Sequence, residues 1–147
     1  MNKLCSVLLL ILFSVQLTYA QNKSISTVVL DSFNARFPNA TEPIWNDMFT
    51  SCRVSFKMGA TEMKATFSSK GNWFRTETKI TYDLLPDAVK EGFKKTKYAN
   101  IPVKDASKTE EKNKPIQYRI TVMKGAVNKT GLVFSSEGAL ISEKNFL

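Results

Sequence analysis

A chain of 147 residues with no histidine, two cysteines and 21 Lys and Arg against 13 Asp and Glu carries a formal charge of +8. Without histidine there is no Ser-His-Asp or Cys-His catalytic constellation and no histidine-bearing zinc site, and two cysteines cannot supply a thiolate cluster. The acid–base chemistry left is a carboxylate pair among Glu62, Glu77 and Glu143, but these alternate with strand residues as a solvated face does, so the expectation is a protein that is not an enzyme and takes no cofactor or metal.

In chain order, the first segment reads as a secretory signal. Lys3 precedes the apolar run from Leu4 to Val15, and Thr18 and Ala20 put small residues at the −3 and −1 positions of a cleavage site before Gln21. A membrane span needs about 20 consecutive apolar residues, and Gln16 and Thr18 interrupt this run too early. Cys5 lies at the wrong end of the run for a lipid-modified cleavage point. Residues 1–20 are therefore expected to leave as a signal peptide, giving a periplasmic or secreted protein with no stable membrane anchor. The mature chain would have 127 residues and a charge of +7, since Lys3 is the one charge lost. Its sole cysteine, Cys52, rules out an internal disulfide despite the oxidising destination. Alternation with Val54 and Phe56 marks Cys52 as a buried thiol.

Ile25, Val29, Phe33 and Phe37 recur every fourth residue, the signature of one helix face, and Pro38 ends it. The period then drops to two. Cys52, Val54, Phe56 and Met58 alternate with Arg53, Ser55 and Lys57, and Met63, Ala65 and Phe67 alternate with Glu62, Lys64 and Thr66. Leu85, Val89 and Phe93 mark a second helix, with Pro86 suited to its first turn. Tyr118, Ile120 and Val122 then alternate with Arg119 and Thr121, before a strand through Leu132 and Phe134. Glycines at 59, 71, 125 and 138 sit where hairpins need positive φ. Last strands are expected over 72–80 and 139–146, and weaker first strands over 43–49 and 101–107.

The two halves match each other in order. Cys52-Arg53-Val54-Ser55-Phe56 answers Tyr118-Arg119-Ile120-Thr121-Val122, and Phe67-Ser68-Ser69-Lys70-Gly71 answers Phe134-Ser135-Ser136-Glu137-Gly138. The offset of 66 to 67 residues exceeds the 60 to 61 found upstream, so a short insertion is expected as a loop over Lys108–Lys114. The expected fold class is thus α+β: a tandem duplication of a helix followed by three or four antiparallel strands. The units would span about 25–80 and 83–147 and form one sheet with helices on one face over a shared core.

Phe37-Pro38-Asn39-Ala40 through Ile44-Trp45, Phe67 to Trp73, and Leu85-Pro86-Asp87-Ala88-Val89 carry a resemblance to the PepSY-like family. Its members are small exported bacterial proteins, many from the Bacteroidetes, with a fold similar to the β-lactamase inhibitor protein. The resemblance covers nearly all of Thr27 to Phe146. It implies a single such domain over 21–147 and protein binding as a class, without naming a target, since a shared fold does not transfer activity.

The face left wet by the alternation carries Arg53, Ser55, Lys57, Lys64, Thr66, Arg119 and Thr121. With Trp73, whose neighbour Phe74 must point the other way in a regular strand, these are the candidate partner-binding residues. The expected function is recognition of a protein or peptide, acidic in keeping with the basic excess, through the open sheet face. The alternative is an inhibitor of an extracytoplasmic peptidase or β-lactamase, which should carry a protruding loop or an acidic or aromatic plug. No Lys/Arg-rich block interleaved with aromatics points to nucleic acid. The exported protein is expected to begin at Gln21 by intact-mass measurement; a retained Met1, or a lipid on Cys5, would overturn the reading of residues 1–20.

Overall fold

The computed structural model describes residues 25–125 and 128–146; the expected signal segment and its cleavage site at Ala20–Gln21 lie outside them. Helix α1 (Thr27–Arg36) is followed by strands β1 (Ala40–Met48), β2 (Ser51–Met58), β3 (Thr61–Ser68) and β4 (Trp73–Ile80). A 3-10 turn over Tyr82–Leu84 leads into helix α2 (Asp87–Lys94), and β5 (Val103–Glu111), β6 (Gln117–Lys124), β7 (Asn128–Ser135) and β8 (Leu140–Phe146) complete the chain. All eight strands form one antiparallel sheet in sequence order, each pairing with the next.

Local chemistry accounts for the elements. Val29 and Phe33 of α1, four apart, are both buried, and Phe37 caps the helix through its N–H to the Phe33 carbonyl, just before Pro38 forbids continuation. In α2, Asp87 opens the first turn and Lys94 closes the last, each suited to the helix dipole there. Gly59 (φ +59°) makes the two-residue turn between Met58 and Thr61, a conformation that spares glycine the Cβ penalty.

The expected tandem organisation is corrected by this architecture. The molecule is in the main a single continuous eight-stranded sheet. Among the described residues the helices, ten and eight residues long, are too short to roof it, and the buried side chains gather in two clusters rather than one shared core. One buried cluster gathers Val29, Phe33, Phe37, Cys52, Val54, Phe56, Ala65 and Phe67. The other gathers Leu85, Val89, Phe93, Ala106, Ile120, Val122, Leu132 and Phe134. The physical reason for the division is the pairing of β4 with β5, which sets Thr76 opposite Glu110 and Thr78 opposite Lys108 on the core side. Polar side chains at the sheet's middle cannot join an apolar cluster without leaving polar atoms unsatisfied, so they form a seam, tied by the Lys108–Glu110 ion pair at 2.5 Å. Residues 108–111 were expected in a loop. They are instead the second half of β5, in register with Arg75 to Thr78. The first strands are also fuller than expected, at nine residues each.

The clusters differ in character. Phe33 packs edge-on against Trp45 (5.2 Å between centroids), Phe56 (5.0 Å) and Phe67 (6.3 Å), geometries that suit the ring quadrupole. The second cluster is mostly aliphatic. Against it, α2 comes so near the turn after β7 that a Cβ on Gly92 would lie 2.0 Å from the Gly138 carbonyl oxygen, and one on Gly138 2.0 Å from that of Ala88.

Replacing either Phe67 or Phe134, both fully buried, with Ala is expected to cost about 3–5 kcal/mol. Gly59→Ala, with open space around it, should cost only the left-handed backbone penalty of roughly 1–2 kcal/mol. Gly138→Ala adds a clash with backbone and should cost more. Urea midpoints of the four variants check the ranking; equal losses at Gly59 and Gly138 would mean that α2 does not sit tightly on its turn.

Candidate functional site

Strand register sorts the exposed side chains. Positions alternating with the core residues share the other face, and successive rows run across the strands there. One row is Asn46, Arg53, Thr66, Arg75 and Glu111; the next is Ile44, Ser55, Lys64, Glu77, Thr109 and Gln117. A third runs Lys57, Glu62, Lys79, Ser107 and Arg119. Seven of the eight expected binding residues therefore come together on the open face: Arg53, Ser55, Lys57, Lys64, Thr66, Arg119 and Thr121. Of these Thr121 is buried, between Asp105 and Gly131 in register, and offers little to a partner.

Trp73 lies elsewhere. It packs against the first core cluster, its Nε1–H donating to Thr76 Oγ1 (2.9 Å) while the Arg36 guanidinium stacks 3.7 Å from the ring. The neighbouring Phe74 is the extra residue of a bulge, since Thr66 pairs with Arg75 but Phe67 with Trp73. Its ring is the exposed one of the two. A bulge suspends the strict alternation on which the sequence argument rested.

A groove of about 520 Å³ crosses the open face, with walls from β1 to β5 that include Ile44, Ser55, Lys57, Lys64, Glu77 and Ser107. Its charges are largely paired with one another. Lys57 Nζ donates to Glu42 Oε2 at 2.7 Å, Lys79 Nζ to Glu62 Oε2 at 2.8 Å, and Arg119 Nη1 lies 3.5 Å from Glu77 Oε2. The hydrogen bond from Lys79, followed by its charge, holds the Glu62 carboxyl below its ordinary range, and the same bond raises Lys79. Its bond to Glu42 likewise raises Lys57. Lys104, at the groove's far end, is lowered by its contact with the like-charged Lys129.

Three further cations, grouped around Thr66, also stand outside these pairs. Among the described residues no carboxylate lies within ion-pair distance of Arg53, Lys64 or Arg75. Arg53 and Arg75 flank Thr66 in one row, and Lys64 is two residues from Thr66 along β3. Beside them the edge of the face is apolar: Ile44 is 72% exposed, and Phe49, at the tip between β1 and β2, is 92% exposed. Thr50 N–H bonds back to the Met48 carbonyl around Phe49, whose φ is +55°, a three-residue turn seldom adopted by a bulky side chain.

The sequence reading missed Glu42, Lys79, Lys104 and Asp105 as lining, together with the Phe49 tip. Glu62, Glu77 and Lys79 were available from the period-two pattern. Lys104 and Asp105 depended on placing β5 correctly, and Glu42 reaches the face only through a bulge between Thr41 and Ile44.

A family model described as "Putative beta-lactamase-inhibitor-like, PepSY-like" matches residues 50–142. A BLIP-like protein from Bacteroides fragilis is 30% identical, with a TM-score of 0.74 over 83% of this chain and 86% of that chain. A "putative periplasmic" protein from Bacteroides eggerthii is 18% identical, with a TM-score of 0.78 over 83% and 89% of the two chains. A DUF2874 family protein from Bacteroides ovatus is 23% identical, with a TM-score of 0.77 over 83% and 88%. The last two show the fold alone. No curated protein matches the chain.

The pairing of Glu62 with Lys79 has a pH signature. A carboxyl depressed in the folded state contributes stability above its unfolded value and loses it as pH falls through the folded one. Lys79→Met is expected to return the Glu62 midpoint toward the ordinary carboxylate range in a carboxyl-carbon NMR titration. A midpoint that does not move would mean the pair is absent in solution.

Proposed function

This chain belongs to the PepSY-like, beta-lactamase-inhibitor-like family, and on that premise we propose that it is an exported, non-catalytic binding protein whose open sheet face takes an acidic protein or peptide. The observation that carries this reading is the contrast within one face. Lys57, Lys79 and Arg119 are each paired with a carboxylate of the same chain, whereas Arg53, Lys64 and Arg75 form a group that makes no ion pair among the described residues, although Glu77 and Glu111 are the cross-strand neighbours of Lys64 and Arg75. Arginine's planar fork suits carboxylates because it donates two parallel hydrogen bonds. Unpaired exposed cations also lose less by engaging a partner, having no internal ion pair to break. Ser55 and Thr66 stand between them as neutral hydrogen-bonding groups. The family likeness supports a binding class, and the description of the Bacteroides eggerthii neighbour as periplasmic supports export; the described residues include no helix long and apolar enough to cross a membrane.

The second reading, an inhibitor of an extracytoplasmic peptidase or β-lactamase, is favoured by one feature, the Phe49 tip. A ring held 92% exposed at positive φ is the aromatic plug that such an inhibitor needs, and backbone strain of this kind is commonest where it serves function.

Replacing Arg53 and Arg75 together with Ser should leave stability within about ±0.5 kcal/mol, as for exposed sites generally. It should weaken binding of an oligoglutamate peptide in a titration at low salt, and raised salt should weaken the wild-type complex in the same direction. Equal binding by wild type and double variant would remove the acidic-partner reading. Loss of inhibition of a β-lactamase or peptidase on Phe49→Ala, with oligoglutamate binding intact, would favour the second reading instead.

A further inference from the structure

An open sheet has two edges, and the two edges of this one are built differently. β1 is guarded: Pro43 has no N–H to offer, Glu42 sits at φ +53°, and the register with β2 shifts between Thr41 and Ile44. Proline, bulges and edge charges are the usual devices that prevent another chain from adding to an outer strand. β8 has neither proline nor bulge over its last five residues, and its charges there are Glu143 and Lys144. From Ser142 to Phe146 it pairs with β7 in unbroken register, from Val133↔Ser142 to Lys129↔Phe146, and every residue is exposed. Every second residue of such a strand turns its N–H and C=O away from its neighbour, and no strand lies beyond β8 among the described residues.

We infer that β8 is a docking edge that accepts one antiparallel strand from an extended, acidic segment of another protein. The side chains along the edge define the segment. On the open face Lys144 and Phe146 stand together, with the ammonium 5.6 Å from the ring centroid. The ring is held against Gly131, where a Cβ would come within 3.0 Å of Phe146 Cε2. An added antiparallel strand meets Phe146 first and Lys144 two residues later. It therefore suits an apolar residue, any residue, then a carboxylate. On the other face Glu143 is already engaged by the Tyr98 hydroxyl and by Lys97 at 3.2 Å, so it asks for no cation from the partner. Beside it a cleft of about 640 Å³, lined by Lys95, Lys97, Tyr98, Leu140 and Glu143, leaves room for the side chain that follows the carboxylate. Backbone bonds would supply affinity and these alternate contacts the selectivity, as in strand addition generally.

A second copy of the chain is a poorer occupant. A twofold axis that continues the sheet pairs residues of the same face, and full overlap of two β8 strands is centred on Glu143. That register sets two Glu143 carboxylates directly opposite each other, which is unfavourable.

The site lies several strands away from the Arg53 patch and does not depend on it. The probe is the hexapeptide acetyl-Thr-Phe-Thr-Glu-Thr-Val-amide, added to isotope-labelled protein and followed by amide exchange and NMR shifts. Alternate β8 amides should become protected while β1 amides stay unchanged. Lys144→Glu should weaken binding by about threefold or more, and a peptide with Lys in place of Glu should restore it. Unchanged β8 amides, equal loss with both peptides, or protection of β8 by protein concentration alone would overturn the proposal.

Discussion

Backbone meets backbone where α2 crosses the turn between β7 and β8, and much of the molecule depends on that contact. Gly92 and Gly138 approach so closely that neither has space for a Cβ. The same device recurs at Gly71, where a Cβ would lie 2.8 Å from the Val28 carbonyl oxygen of α1. With the helices held this near, Val89 and Phe93 reach the sheet over Leu132 and Phe134, and Val29 and Phe33 reach it over Val54 and Phe67. Neither helix is long enough to be stable alone in water. Each therefore holds its place by burying two or three side chains, and the glycine turns set how deeply they sink. That commits one side of the alternating strands to the core and leaves the other to water.

What the open side does with its charges is a second level of organisation. Exposed ion pairs contribute little to stability, with a median of about 0–1 kcal/mol, so the Lys57–Glu42 and Lys79–Glu62 pairs are not what holds the sheet together. Their consequence is electrostatic. They offset part of the basic excess along the groove, while Arg53, Lys64 and Arg75, and Lys104 beside Lys129, make no ion pair on this face among the described residues. The chain's +8 is thus less informative than its distribution, because field strength at a surface depends on which cations have neighbouring carboxylates.

The family likeness and the geometry constrain function at different resolution. At 30% identity over 83% of the chain, the relation to the Bacteroides fragilis BLIP-like protein is a relation of family, and a fold hosts many functions. Specific recognition has to come from the residues themselves. The proposed carriers are Arg53, Lys64 and Arg75, the exposed Phe49 ring at a strained turn, and the β8 edge.

Much of this was legible in the residues alone. The phase of the strands through Cys52, Val54 and Phe56, and through Ile120 and Val122, is a local property: side chains alternate across a strand whatever the strand pairs with. Buried Phe67 and Phe134, the glycine turns and the clustering of Arg53, Ser55, Lys57, Lys64 and Arg119 on one face all follow from it. What the residues could not disclose is non-local. The β4–β5 pairing placed Lys108 and Glu110 inside a strand and split one expected core into two, because a polar run reads the same in a loop as at a seam. The bulges at Glu42 and Phe74 broke the alternation from which side-chain direction was inferred. Which cations remain unpaired was decided across strands, as with Lys79 and Glu62, 17 residues apart, or Arg119 and Glu77. Periodicity determines which way a side chain points; only the completed sheet determines what it points at.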